Sequence, residues 1–137
     1  MPDAAFAASD PASSQPTRTI LLVEDEAFVR DVACEILSAA GYRVLKAGNA
    51  AEALHTFQCY PEKVQLLLTD VVLPDRNGCD LALELTTLCH TVRAILVSGY
   101  PENSVTTKGL QRPGWCYLPK PFSAASLLQK VREVLPD

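Results

Sequence analysis

Short apolar runs alternate with amphipathic segments along most of the chain, and few folds accommodate that alternation. Thr19-Ile20-Leu21-Leu22-Val23 is continuously apolar after its first residue, as in a strand covered on both faces. After Glu24-Asp25-Glu26, the residues Val29, Val32, Ala33, Ile36, Leu37 and Ala40 recur at helical spacing, and Gly41 stands where a helix stops. Tyr42 to Ala47 reads as a second strand whose mixed pattern suits an edge. Asn49 followed by Glu52 resembles a capping box with Asn in place of Ser/Thr, opening a helix that runs to about Cys59 and is closed by Pro61. Val64 to Thr69 is a third strand. Cys79 to about Leu88 is helical, with Leu81, Ala82, Leu85 and Leu88 on one face. Val92 to Val97 is a fourth strand. Pro101 to Pro113 should hold a fourth helix, a poor one with Val105, Thr106, Thr107 and Gly109 inside it, so it is expected to be short or mobile. Trp115 to Leu118 is a fifth strand. Ser123 caps a last helix with Leu127, Leu128, Val131, Val134 and Leu135 on its apolar face. Five β-α units of this kind predict an α/β domain, a parallel sheet with helices on both faces.

The bulk properties narrow the function. A chain of 137 residues is long enough for one domain with a proper core, and an apolar content of 48% excludes disorder throughout. A net charge of −4 without a Lys/Arg stripe argues against nucleic acid as a partner. No apolar run reaches the length of a membrane span, and the N-terminus lacks a signal-peptide pattern, so a cytoplasmic protein is expected. Residues 1–18 are rich in Ala, Ser and Pro without period and read as a disordered tail, leaving 19–137 as the domain. Cys34, Cys59, Cys79, Cys89 and Cys116 form an odd set with no C-x-x-C pair, which suits small hydrophobes in a reducing compartment. His55 and His90 have no metal-ligand spacing and read as surface or helix residues.

The strand ends carry the chemistry. The first strand stops at Glu24-Asp25, the third at Asp70, the fourth at Ser98 and the fifth at Lys120. In a parallel sheet these ends share one edge, where α/β proteins place their sites. A lone Asp after a strand is more often a helix cap or turn former, and a lone Lys-Pro is usually a turn. The ordered set of acidic pair, Asp, Ser and Lys is far more specific. Leu66 to Gly78 is its centre: an apolar run ends in Asp70, and a loop of turn formers follows. Three carboxylates within about 5 Å repel by a few kcal/mol per pair at an effective dielectric near 20, so the cluster needs a counter-charge. A hard divalent ion, Mg²⁺ in a cell, fits oxygen donors best. With an ammonium and a hydroxyl added, the set is equipped to hold a phosphoryl group during in-line transfer to a carboxylate nucleophile.

These residues resemble the receiver domain of two-component response regulators. The likeness rests on Ile20-Leu21-Leu22-Val23-Glu24-Asp25-Glu26, Leu68-Thr69-Asp70-Val71-Val72-Leu73-Pro74-Asp75-Arg76-Asn77-Gly78, Leu96-Val97-Ser98-Gly99-Tyr100 and Tyr117-Leu118-Pro119-Lys120-Pro121-Phe122. It implies a (βα)5 flavodoxin-like, doubly wound five-stranded parallel sheet of order 2-1-3-4-5, an order for which the family is itself a standard example. It further implies that Asp70 accepts a phosphoryl group from a sensor histidine kinase or histidine phosphotransfer protein. Asp25, Asp70 and the Val72 backbone carbonyl would ligate Mg²⁺, with Glu24 acting mainly through water. Lys120 and Ser98 would bind phosphoryl oxygens, and Ser98 and Tyr117 would act as the switch. The Lys120-Pro121 peptide is expected to be cis, and Asn49 to Cys59 to take no part. Phosphorylation would shift an interaction surface over roughly 102–135 toward an unidentified downstream protein, in a monomer or weak dimer.

Some residues depart from the common family pattern. Glu24 stands where Asp is commoner. Gly109 to Gly114 resembles receivers fused to hybrid sensor kinases. Val72 and Tyr100 stand where polar side chains are frequent, which predicts a long-lived phosphorylated form. Asp137 closely follows the last helix, so no effector domain is expected. The alternatives are a receiver fragment of a hybrid histidine kinase, a phosphate-independent pseudo-receiver, and a phosphatase with Asp70 as nucleophile. The phosphatase is disfavoured because Val72 stands where such enzymes place a second acid.

Overall fold

The computed structural model describes residues 18–60, 63–99 and 115–135. Residues 1–17, Pro61, Tyr100 and the helix expected within 101–113 lie outside these. All five expected strands are present: β1 (Thr19–Val23), β2 (Arg43–Ala47), β3 (Val64–Asp70), β4 (Arg93–Ser98) and β5 (Trp115–Pro119). Among the described residues they alternate with α1 (Ala27–Ala39), α2 (Ala50–Cys59), α3 (Gly78–Leu88) and α4 (Ala124–Val134). All pairings are parallel and the order is β2-β1-β3-β4-β5, as the resemblance implied.

The continuous apolar runs bury both faces of the sheet because successive side chains point to opposite sides. In β1, Ile20 and Leu22 join Ala33 and Leu37 of α1 and Leu127 and Val131 of α4. Leu21 and Val23 face the other way, toward Ala53 and Phe57 of α2 and Leu81 and Leu85 of α3. Each such Leu contributes about 1.5–3 kcal/mol of burial, so the two cores fix the register of the central strands. β2 lies at the edge and exposes Arg43 and Lys46, charges that blunt an unpaired strand.

The helix ends follow their sequence signals with one displacement. Gly41 has φ of 101°, its N–H reaches the Ser38 carbonyl at 3.0 Å, and the Tyr42 N–H reaches the Leu37 carbonyl at 3.1 Å. This is the two-bond stop that a glycine past a helix end permits. Ser123 and Ser126 form a reciprocal box at the start of α4. At α2, Asn49 accepts from the Glu52 N–H at 2.8 Å, but the Glu52 carboxylate takes the Gly48 N–H at 2.7 Å rather than that of Asn49. Two apolar stripes are narrower than their periodicity implied. Val32 is 39% exposed because it borders an open groove beside Phe28, and Leu88 is 59% exposed at the outer end of α3. Ala40 is the exposed C-cap of α1.

Candidate functional site

Register delivers the site. Val23 pairs with Thr69, Asp70 with Val97, and Ser98 with Pro119, so Glu24, Asp70, Ser98 and Lys120 arrive at one edge. The backbone ladder runs past the strands: Glu24 N–H donates to Ala47 at 3.0 Å, Val71 N–H to Val97 at 2.9 Å, and Lys120 N–H to Ser98 at 2.8 Å. The strand ends are therefore fixed relative to one another before any side chain acts.

Carboxylate oxygens of Glu24, Asp25 and Asp70 lie within 4.8 Å of one another. Lys120 Nζ donates to Glu24 Oε1 at 3.0 Å and to Asp70 Oδ2 at 2.8 Å. Asp25 is exposed, whereas Asp70 and Glu24 are buried. Burial pushes the Glu24 carboxyl above its ordinary value and the charge of Asp70 adds to this, while the Glu26 N–H and Lys120 oppose it. Burial alone would lower the Lys120 ammonium, but its hydrogen bonds to Asp70 and Glu24 outweigh that and raise it. Lys120 is thus a fixed positive charge. Ser98 is buried at the end of β4. Tyr117, half-buried, packs against the core on the α2/α3 side. The Lys120-Pro121 peptide is cis, as expected.

The β3–α3 loop, residues 71–77, wraps one side of the site. The Gly78 N–H donates to the Val71 carbonyl at 2.7 Å, and Val72 and Asn77 form an antiparallel bridge. A Cβ on Gly78 would collide with the Asp70 carbonyl oxygen, so this position tolerates only glycine without backbone movement. The Val72 side chain is 57% exposed. Asp75 reaches across to α2, accepting from the Ala50 and Ala51 N–H groups at 2.9 Å each. Those two bonds, the Ala50 one foremost, hold its carboxyl below the ordinary value. Arg30 Nη1 donates to the Glu24 carbonyl at 2.7 Å and steadies the β1–α1 turn.

The sequence reading found every member of the acid–lysine cluster. It missed Asp75, Arg30 and the reason for Gly78. Asp75 and Gly78 lay within the quoted motif, but their partners are backbone atoms that the folded loop alone brings near. The donor set of the cluster is oxygen only, which fits a hard divalent cation.

Residues 20–132 match the response regulator receiver domain family, and the chain belongs to it. It is 36% identical over 117 residues to the sensor kinase CckA of Brucella abortus, an alignment spanning 85% of this chain and 12% of that protein. It spans 24% to 52% of the transcriptional regulators it also matches. Among solved structures it is similar to the receiver domain of the hybrid histidine kinase CckA, at 33% identity and a TM-score of 0.74, covering 85% of this chain and 98% of that one. It is also similar to the response regulator TrrA of Thermotoga maritima solved with Mg²⁺ and beryllofluoride, at 26% identity and a TM-score of 0.72, covering 86% and 99%. No helix among the described residues is long and apolar enough to cross a membrane.

Proposed function

We propose that Asp70 is the phospho-acceptor of a two-component phosphorelay. One observation carries this reading: Lys120 holds Glu24 and Asp70 together at the meeting of three strand ends, with Asp25 alongside. An Asp70 carboxylate oxygen attacks the phosphorus of a phosphohistidine on a sensor histidine kinase or histidine phosphotransfer protein. The P–N bond breaks, the imidazole leaves with its electron pair, and an aspartyl phosphate forms. Glu24 (through water), Asp25, Asp70 and the Val72 carbonyl would hold Mg²⁺, which when bound neutralises phosphoryl oxygens. Lys120 exchanges one carboxylate partner for a phosphoryl oxygen, and the Ser98 hydroxyl donates to another. Tyr117 turns inward as Ser98 moves, a population shift that the phosphoryl group favours.

The phosphodonor has a surface to meet. An open groove of about 430 Å³ lies beside Lys120, lined by Phe28, Val29, Val32, Pro121 and Phe122. Phe28 is 80% exposed, a large apolar area next to the acceptor. The domain, residues 19–137 after an N-terminal tail, acts in the cytoplasm as a monomer or weak dimer on a downstream protein. It is an acceptor with slow self-dephosphorylation rather than a turnover enzyme. The exposed Val72 shields the attacking-water side and lengthens the phosphorylated lifetime; Tyr100, assigned the same role, lies outside the described residues. The similarity to the CckA receiver favours a second reading in which this sequence is the receiver portion of a hybrid kinase.

Mg²⁺ with beryllofluoride tests the acceptor reading. Amide shifts at Asp70, Ser98 and Tyr117 above noise are expected. Shifts within noise there, with Mg²⁺ saturating, would point to a pseudo-receiver. A half-life of seconds would remove the shielding role of Val72.

A further inference from the structure

We propose that Asp75 is a positioning residue: its carboxylate clamps the β3–α3 loop to the N-terminus of α2 and thereby fixes the Val72 carbonyl for the divalent ion. This rests on the proposed function, which makes that carbonyl a metal ligand. It also gives α2, expected to take no part, a role in the site.

The first N–H groups of a helix have no partner within it and carry the positive end of its dipole. In α2 all three leading donors are satisfied, and by two different sources. Asn49, adjacent in sequence, takes the Glu52 N–H, while Asp75, from another loop, takes those of Ala50 and Ala51, one per oxygen. A carboxylate bound through both oxygens to a helix N-terminus resists rotation as well as displacement. The loop gains from this because, beyond its own Val72–Asn77 bridge, its outer half has little else to hold it. Val71 and Leu73 are buried in the α2/α3-side core, but Val72, Pro74, Asp75 and Asn77 are exposed. Arg76 binds Glu84 at 2.7 Å, but Glu84 belongs to α3, the helix that directly follows the loop. Asp75 instead ties the loop to a helix that precedes β3.

The clamp and the ion are therefore coupled, and coupling is reciprocal. Supporting residues around a metal ligand are typically worth tenfold or more in affinity. Asp75→Ala is expected to weaken Mg²⁺ binding by about tenfold, with Asp75→Asn, which retains one acceptor oxygen, falling between. Glu84→Ala, which removes the other loop tether, should leave the affinity unchanged. In the unmutated full chain, saturating Mg²⁺ should slow hydrogen exchange of the Ala50 and Ala51 amides by about the same tenfold. Wild-type affinity in Asp75→Ala overturns the inference. So does unchanged exchange at Ala50 and Ala51 in the Mg²⁺-saturated native chain, which decides the matter even if Asp75→Ala fails to fold. A native chain that binds no Mg²⁺ overturns the proposed function itself, an outcome distinct from both.

Discussion

The β1–α1 turn and the β3–α3 loop both bring acids to the same edge of the sheet, and they are held in different ways. In the turn, Glu24 accepts from the Glu26 N–H at 3.1 Å, and Arg30, one turn into the helix that follows, donates to the Glu24 carbonyl. These two fixings lie within a few residues, and the Glu24 N–H and carboxylate also reach Ala47 and Lys120. The loop of residues 71–77 is closed locally by Gly78 on the Val71 carbonyl, but its outer part is tied by Asp75 to Ala50 and Ala51, far away in the chain. A short connection carries its own geometry, whereas a longer one needs the rest of the fold to supply it. Changes in the loop should therefore disturb the site more than changes in the turn.

Gly78→Ala should have the largest effect. Its Cβ meets the Asp70 carbonyl, so the backbone of Asp70 must move, at an expected cost of about 2–3 kcal/mol in denaturant unfolding, with loss of the Mg²⁺-induced shift at Asp70. The Asp75 clamp comes next and has a pH signature. Because folding depresses the Asp75 carboxyl below its unfolded value of about 3.9, the stability it contributes is complete above that pH. It is lost as pH falls through the depressed folded value. The stability difference between the native chain and Asp75→Asn should be constant near neutrality and shrink in acid; a difference growing in acid would contradict the clamp. Arg30→Met in the turn should cost about 1 kcal/mol of stability and leave Mg²⁺ affinity unchanged. If it weakened the ion as Asp75→Ala is expected to, the contrast between the two connections would fail. Gly41→Ala, remote from the edge, serves as the baseline. A Cβ there has open space, so only the left-handed backbone is strained, by about 1 kcal/mol, with no change in ion binding.

What was legible in the sequence follows the same division. Ile20–Val23, Leu66–Leu68 and Ile95–Val97 announced buried parallel strands because continuous apolar runs have few other uses. Glu24, Asp25, Asp70, Ser98 and Lys120 stood out because topology alone puts strand ends together. Gly41 and Ser123 were readable because their partners are local. Val32 and Leu88 share the apolar spacing of their helices yet are exposed, since a helical period shows which face is apolar but not how far the neighbouring sheet extends beneath it. Glu52 was paired with the wrong amide, because spacing does not distinguish Gly48 from Asn49 as donor. Asp75 looked like one turn former among several. Its function depends on Ala50 and Ala51, more than twenty positions earlier, and no local pattern records that.

The central claim is that Asp70 is the acceptor, and one labelling measurement tests it. The native chain and Asp70→Asn are incubated with Mg²⁺ and a phosphorylated histidine-kinase or phosphotransfer partner, and the labelled site is mapped. The native chain should take up a single phosphoryl group on Asp70, and Asp70→Asn should stay unlabelled. Label that persists in Asp70→Asn, or maps elsewhere in the native chain, would contradict the account.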